Sequence, residues 1–285
     1  MSAESGLIPL VVTVLGLGVA AQVLADRLEV PSVLFLIVAG IAVGPEGLGV
    51  VTADAFGASL PGIVGLSVAI IVFEGAFHLK LSKLRQTPRE AFRLVTIGAI
   101  VTLVGTAVTV RFTLGASWEL ALLVGSLLVA TGPTVVTPIL DVVPVRDRVA
   151  AALETEGIVN DVTAAILAVA VFEVVVTGET AVTALVQSFV SRLGIGVLVG
   201  VLVSGVIWYV LTHVDFSPSN AVRNTRLVVL IGAIATYGIA DGLAPEAGIA
   251  AVATAGVLLG NADLPYEAEI EAFKGDLTLI VLSFV

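Results

Sequence analysis

Long apolar runs, separated by short connections that carry glycine, proline and charge, recur along nearly the whole chain. Most are long enough to cross a ~30 Å hydrocarbon core as helices rising ~1.5 Å per residue. The pattern predicts ten candidate spans: Leu7 to Leu24, Pro31 to Leu48, Leu60 to Leu79, Ala91 to Leu114, Trp118 to Leu140, Ala150 to Val176, Leu193 to Thr212, Leu227 to Leu243, Ala247 to Gly260, and Leu277 onward. The runs lack the apolar and polar alternation of barrel strands, so an all-α polytopic membrane protein is expected. The tenth run has nine residues before Val285, too few to cross, and the chain is read as C-terminally truncated within a longer bundle. Residues 1–285 are expected to form a single transmembrane domain of about nine complete helices and the start of a tenth.

Charge tests this count independently, because cytoplasmic connections of membrane proteins retain Lys and Arg. With the N-terminus outside, the inner connections hold Arg27, Lys80, Lys83, Arg85, Arg89, Arg93, Arg146, Arg148, Arg223, Arg226 and Lys274, eleven of the thirteen basic residues. Only Arg111 and Arg192 fall toward the outer side. No Lys or Arg precedes Leu7, so the first run does not resemble a cleavable signal peptide. A multi-pass protein of the cell membrane follows.

Composition narrows the chemistry. The 285 residues are 58% hydrophobic and 13% charged, with a mean hydropathy of +1.13. A formal net charge of −10 argues against nucleic acid as a partner. The absence of cysteine excludes disulfides, thiolate metal sites and cysteine nucleophiles, and no cofactor is expected. The many Gly and Ala residues let helix backbones approach closely where lipid supplies no hydrophobic drive for association.

An ionisable side chain in hydrocarbon costs at least ~2.5 kcal/mol, so each one needs a partner or a purpose. The fifth run contains Ala130-Thr131-Gly132-Pro133-Thr134, with Pro138 beyond it. Proline removes a backbone donor and disfavours helical geometry in the preceding residue, so a helix break is predicted there. Broken helices at mid-membrane expose backbone groups that coordinate ions, and Thr131 and Thr134 add hydroxyl oxygens. A plain proline kink satisfied by threonine is the alternative. The sixth run carries Glu154, Glu156, Asn160 and Asp161. Glu156 and Asn160, four apart, share a helix face, with Asp161 about 100° further round. Burial favours the protonated form of a carboxyl and a neighbouring cation favours the ionised form, so a carboxylate at Asp161 can trade a proton for a monovalent cation. A structural carboxylate bonded to another helix is the competing reading. Glu74, toward the inner end of the third run, and Glu154 are accessory candidates, at an entrance or vestibule. Asp241, Glu173 and Asp141 lie near run ends, where solvated or snorkelling roles are the default. His78 and His213, near the inner surface, suit interface anchoring better than pH sensing.

These residues carry a resemblance. Val30-Pro31-Ser32-Val33-Leu34 leading to Gly40 through Pro45, Phe73-Glu74-Gly75, Thr131-Gly132-Pro133, Glu156 through Asn160-Asp161, and Ala247 through Gly260-Asn261 together resemble the monovalent cation:proton antiporter superfamily, in its electroneutral sodium/proton exchanger branch. The resemblance implies a fold of inverted repeats with two crossed broken helices, a mobile core and a dimerisation domain, hence a homodimer moving by an elevator-like alternating access. It implies that Asp161 binds the cation or the proton, that Asn160 replaces a second acid of electrogenic relatives, so that exchange is one for one, and that Glu156 supports Asn160. Gly132 stands where many members of the branch have aspartate, which favours weaker binding or a larger, less hydrated ion such as potassium. The second crossed helix would lie beyond Val285. A regulated potassium efflux system or a channel would share the fold. An intramembrane aspartyl protease would need a second facing aspartate, for which Asp241 sits too near a run end.

Overall fold

The computed structural model describes residues 4–28, 30, 32–79, 81, 92–132, 136, 139–140, 143–177, 182–267, 269–270, 277–278 and 280–284. Every regular element among them is helical. Nine apolar helices of ten residues or more are described: α1 (Glu4–Leu28), α2 (Ser32–Val43), α3 (Leu60–His78), α4 (Ala99–Leu114), α5 (Trp118–Leu127), α6 (Asp147–Thr177), α7 (Val182–His213), α8 (Ala221–Leu243) and α9 (Ala247–Gly260). Among the described residues, six stretches are long and apolar enough to cross a membrane, those built on α1, α3, α4, α6, α7 and α8. The expected class, an all-helical multi-pass membrane protein with an interrupted helix, is met.

Local sequence explains where the helices begin and end. Pro61 opens α3 at a position where its missing N–H costs nothing. Gly115 (φ 64°) takes the left-handed conformation that ends α4. Two residues on, the Ser117 Oγ accepts the Leu120 N–H at 3.3 Å and caps α5. The predicted break in the fifth run is present. α5 stops at Leu127, residues 130–132 are non-helical, and described helical residues resume at 136, 139 and 140. Pro133, Thr134, Pro138 and Asp141 lie outside the described residues. The expected tenth run is described only in part, and its 3-10 turn Leu282–Phe284 packs against α1.

The expected start of the seventh run, Leu193, is corrected. The helix begins at Val182, because Thr183, Gln187, Ser188, Ser191 and Arg192 lower hydropathy without opposing helix formation.

The core is shared by α3, α6, α7, α8 and α9. Short and rich in Ala, Gly and Val, α9 is buried along most of its length between α3, α7 and α8. Its approach to α3 is set by backbone: a Cβ on Gly256 would lie 2.6 Å from the Phe73 carbonyl oxygen. Asn261 closes this crossing. Its Nδ2 donates to the Leu79 carbonyl at 2.8 Å and its Oδ1 accepts the Leu81 N–H at 2.8 Å, tying the end of α9 to the end of α3. α6 lays Ile158, Val162 and Ile166 into the same core, and its Asn160-Asp161 pair falls midway along its thirty-one residues.

Candidate functional site

The break after α5 and the middle of α6 meet at one carboxylate. The Glu156 Oε1 accepts the Thr131 hydroxyl at 2.7 Å and also the Asn160 Nδ2. Thr131 sits in the non-helical stretch, where no helical ladder commits the local backbone. Its side chain therefore reaches a neighbouring helix instead of its own preceding carbonyl. Glu156 and Asn160 are one turn apart, so the second bond is built into α6 by the four-residue spacing. Both side chains are buried, at 9% and 3% exposure.

The orientation of Asn160 follows from this partner. A carboxylate oxygen accepts, so the amide must turn its NH₂ toward Glu156 and its carbonyl oxygen the other way. That Oδ1 is buried and has no hydrogen-bond partner among the described residues. A buried acceptor without a donor costs roughly 1–3 kcal/mol, and a cation would relieve that cost. Next along the chain, Asp161 is half-buried, and its carboxylate has no hydrogen bond or ion pair among the described residues. The arrangement therefore offers one carboxylate and one unclaimed amide oxygen beside an interrupted helix. A carboxyl can carry a proton, and carboxylate and amide oxygens are donor types that hard cations accept.

Thr131, Glu156 and Asn160 are thus brought together, with Asp161 adjoining them and Gly132 half-buried in the break. Pro133 and Thr134 lie outside the described residues. Glu74 and Glu154 are half-buried, and neither carboxylate bonds to this group among the described residues. His78 Nδ1 meets the Glu74 carbonyl at 2.9 Å. His213 stacks on Tyr209 with centroids 4.6 Å apart and stands edge-on to Trp208. Asp241 accepts the Glu246 N–H at 2.8 Å, in the turn between α8 and α9.

One pairing was not foreseen. Arg192 is buried within α7, and its Nη2 is ion-paired with Glu173 of α6, whose other oxygen accepts the Ser188 hydroxyl at 3.2 Å. Glu173 is therefore not simply solvated, as its place near a run end suggested. The available signal was Arg192 itself, one of two basic residues on the wrong side of the charge asymmetry. The other, Arg111, donates to the Ala116 carbonyl at 2.6 Å and lies over the Trp118 ring, so it braces the α4–α5 turn.

A family model described as "Sodium/hydrogen exchanger, transmembrane" matches residues 10–285. The K(+)/H(+) antiporter NhaP2 of Shewanella sp. (strain ANA-3) is 28% identical over 239 residues, 83% of this chain and 41% of that protein. The Na(+)/H(+) antiporter ApNhaP of Aphanothece halophytica is 28% identical over 259 residues, 88% of this chain and 47% of that protein. The solved structure of the sodium proton antiporter MjNhaP1 from Methanocaldococcus jannaschii at pH 8 superposes with a TM-score of 0.84 at 24% identity, covering 99% of this chain and 69% of that one. The chain spans about half the length of these two sequence relatives.

Proposed function

Because the chain belongs to the transmembrane sodium/hydrogen exchanger family, we propose that it is a secondary transporter, not an enzyme, exchanging protons for sodium or potassium by alternating access. The observation that carries this reading is Asp161, half-buried at the midpoint of α6 beside the unclaimed Asn160 oxygen and the break after α5. An ionised carboxylate at mid-membrane costs at least ~2.5 kcal/mol, so the site changes sides cheaply only when Asp161 carries a proton or a cation. Occupancy by one excludes the other, and that exclusion couples the two fluxes. Asn160 brings no second charge, so exchange is one for one and electroneutral.

Glu156 holds the Asn160 amide in the orientation that turns Oδ1 outward, and Thr131 holds Glu156 from the break. Gly132 shapes the same break, Pro133 and Thr134 follow it in sequence, and Glu74 and Glu154 serve as acids on the approach. Gly132 adds no carboxylate, which favours a larger, less hydrated ion and gives potassium a specific claim beside sodium. Relatives named for each ion occur among the similar proteins.

We place the domain in the plasma membrane with the N-terminus outside, as a homodimer, in the service of pH homeostasis. The basic residues support the orientation.

The test is proton movement in everted vesicles on addition of sodium or potassium, with the membrane potential clamped at zero. Exchange is expected to persist under the clamp and to vanish in Asp161→Asn at unchanged expression. Wild-type exchange by that variant sinks the assignment, and flux that collapses under the clamp points to a channel.

A further inference from the structure

The α6–α7 ion pair lies on the helix that carries the proposed site, twelve residues from Asp161, and its parts are unequal. The Arg192 side chain is 7% exposed and that of Glu173 47%. Arg192 uses Nη2 on Glu173, while its Nη1 is buried with no partner among the described residues. Release of Glu173 alone would strand a buried guanidinium, which is costly, whereas the half-exposed carboxylate would simply be rehydrated. The pair is therefore breakable only where a second acid can receive Arg192.

Such an acid is present. Glu246, between α8 and α9, is partly buried, and the chain beside it packs directly on α7: a Cβ on Gly196, one turn along from Arg192, would lie 2.6 Å from the Ala247 carbonyl oxygen. Its backbone adopts a left-handed conformation (φ 65°), unusual for a residue with a side chain. Its N–H is committed to the Asp241 Oδ1 at 2.8 Å. The groups facing this corner are Glu173 from α6, Ser188 and Arg192 from α7, and Tyr237 and Asp241 from α8. Glu173 holds Arg192 here, and Glu246 lies close enough to feel its charge.

We propose that Arg192 is a transferable tie: it binds Glu173 in the state seen here and passes to Glu246 when α6 shifts against α7 during the transport cycle. The proposal rests on the alternating-access reading above, since a site on α6 reaches both sides only if α6 or its neighbours move. Burial and the Asp241 charge push the Glu246 carboxyl above its ordinary range, and Arg192 opposes them. Ionisation of Glu246 then favours the handover, so the tie to Glu173 loosens as pH rises on that side. Neutralising Glu246 leaves Arg192 on Glu173.

The chain contains no cysteine, so introduced ones are unique. Glu173→Cys with Arg192→Cys, joined by a reducible bifunctional thiol reagent, is expected to lose exchange about tenfold or more, as when a conformational step is blocked. Reductant should restore it. With the native pair intact, spin labels at Val176→Cys and Val186→Cys are expected to give two distances between α6 and α7. Glu246→Gln should collapse them to the one belonging to the tied state. Undiminished exchange by the cross-linked protein overturns the proposal. A single distance, the same with and without Glu246→Gln, also overturns it, and this second arm stands if the double-cysteine variant does not fold. Two distances in a protein that never exchanges would support the tie and count against the transport reading alone.

Discussion

Removing the Thr131 hydroxyl is the smallest change that separates the two halves of the candidate site. Glu156 would lose one of its two donors, a deficit of roughly 1–3 kcal/mol for a buried acceptor. Thr131→Val is expected to raise the cation concentration for half-maximal exchange several-fold, while Thr131→Ser keeps the donor and the parent value. Equal values for both variants would show that the hydroxyl is idle. The four-residue spacing of Glu156 and Asn160 made their contact legible in the sequence. The Thr131 contact was not, because it joins residues twenty-five apart and depends on how the interrupted segment folds back on α6. The orphaned Asn160 oxygen was equally hidden, since only the choice of partner for its NH₂ decides where it points.

Helix existence was read correctly from hydropathy, but edges were lost wherever polar residues sit inside a helix. The first turns of α7 are the clearest case, with Arg192 buried by packing that a hydropathy profile does not register. The break after α5 was visible because proline and glycine act locally. The order of packing was not visible, because runs of Ala, Val and Gly look alike until one of them, α9, is enclosed on three sides. Steric space separates glycines at helix crossings from those that face open space. A side chain at Gly256 would overlap the Phe73 backbone, whereas a methyl group added at Gly105 on α4 would meet nothing within 4 Å. Gly256→Val is expected to destabilise the protein by about 1–3 kcal/mol or more, and Gly105→Ala to stabilise it by roughly 0.5–1 kcal/mol through helix entropy. Thermal unfolding in detergent reads both, and equal midpoints would refute the crossing geometry.

At the scale of the whole bundle, the two exceptions to the charge asymmetry have structural occupations: Arg111 braces a turn and Arg192 an interhelical pair. Stability should carry a pH signature from the same corner. Glu246 holds its proton more tightly folded than unfolded, its carboxyl being raised above 4.5 by burial and then by Asp241. The folded state therefore binds more protons than the unfolded one, and stability falls as pH rises from the unfolded value through the folded one. Glu246→Gln is expected to flatten that decline, measured as thermal midpoint against pH. A slope unchanged by the substitution would assign the decline to other groups.

The contact between α9 and α3 has an evolutionary corollary. Where two side chains interlock, an enlargement on one helix can be answered by a trimmed neighbour on the other. Here the nearest neighbours are the main chain at Phe73 and Phe77, which no codon change can shorten, and one methyl group, Ala76, which can only become glycine. Second-site suppressors of a bulky replacement at Gly256 should therefore be confined on α3 to Ala76 and be weak even there, and a full revertant should restore the glycine or shift a whole helix.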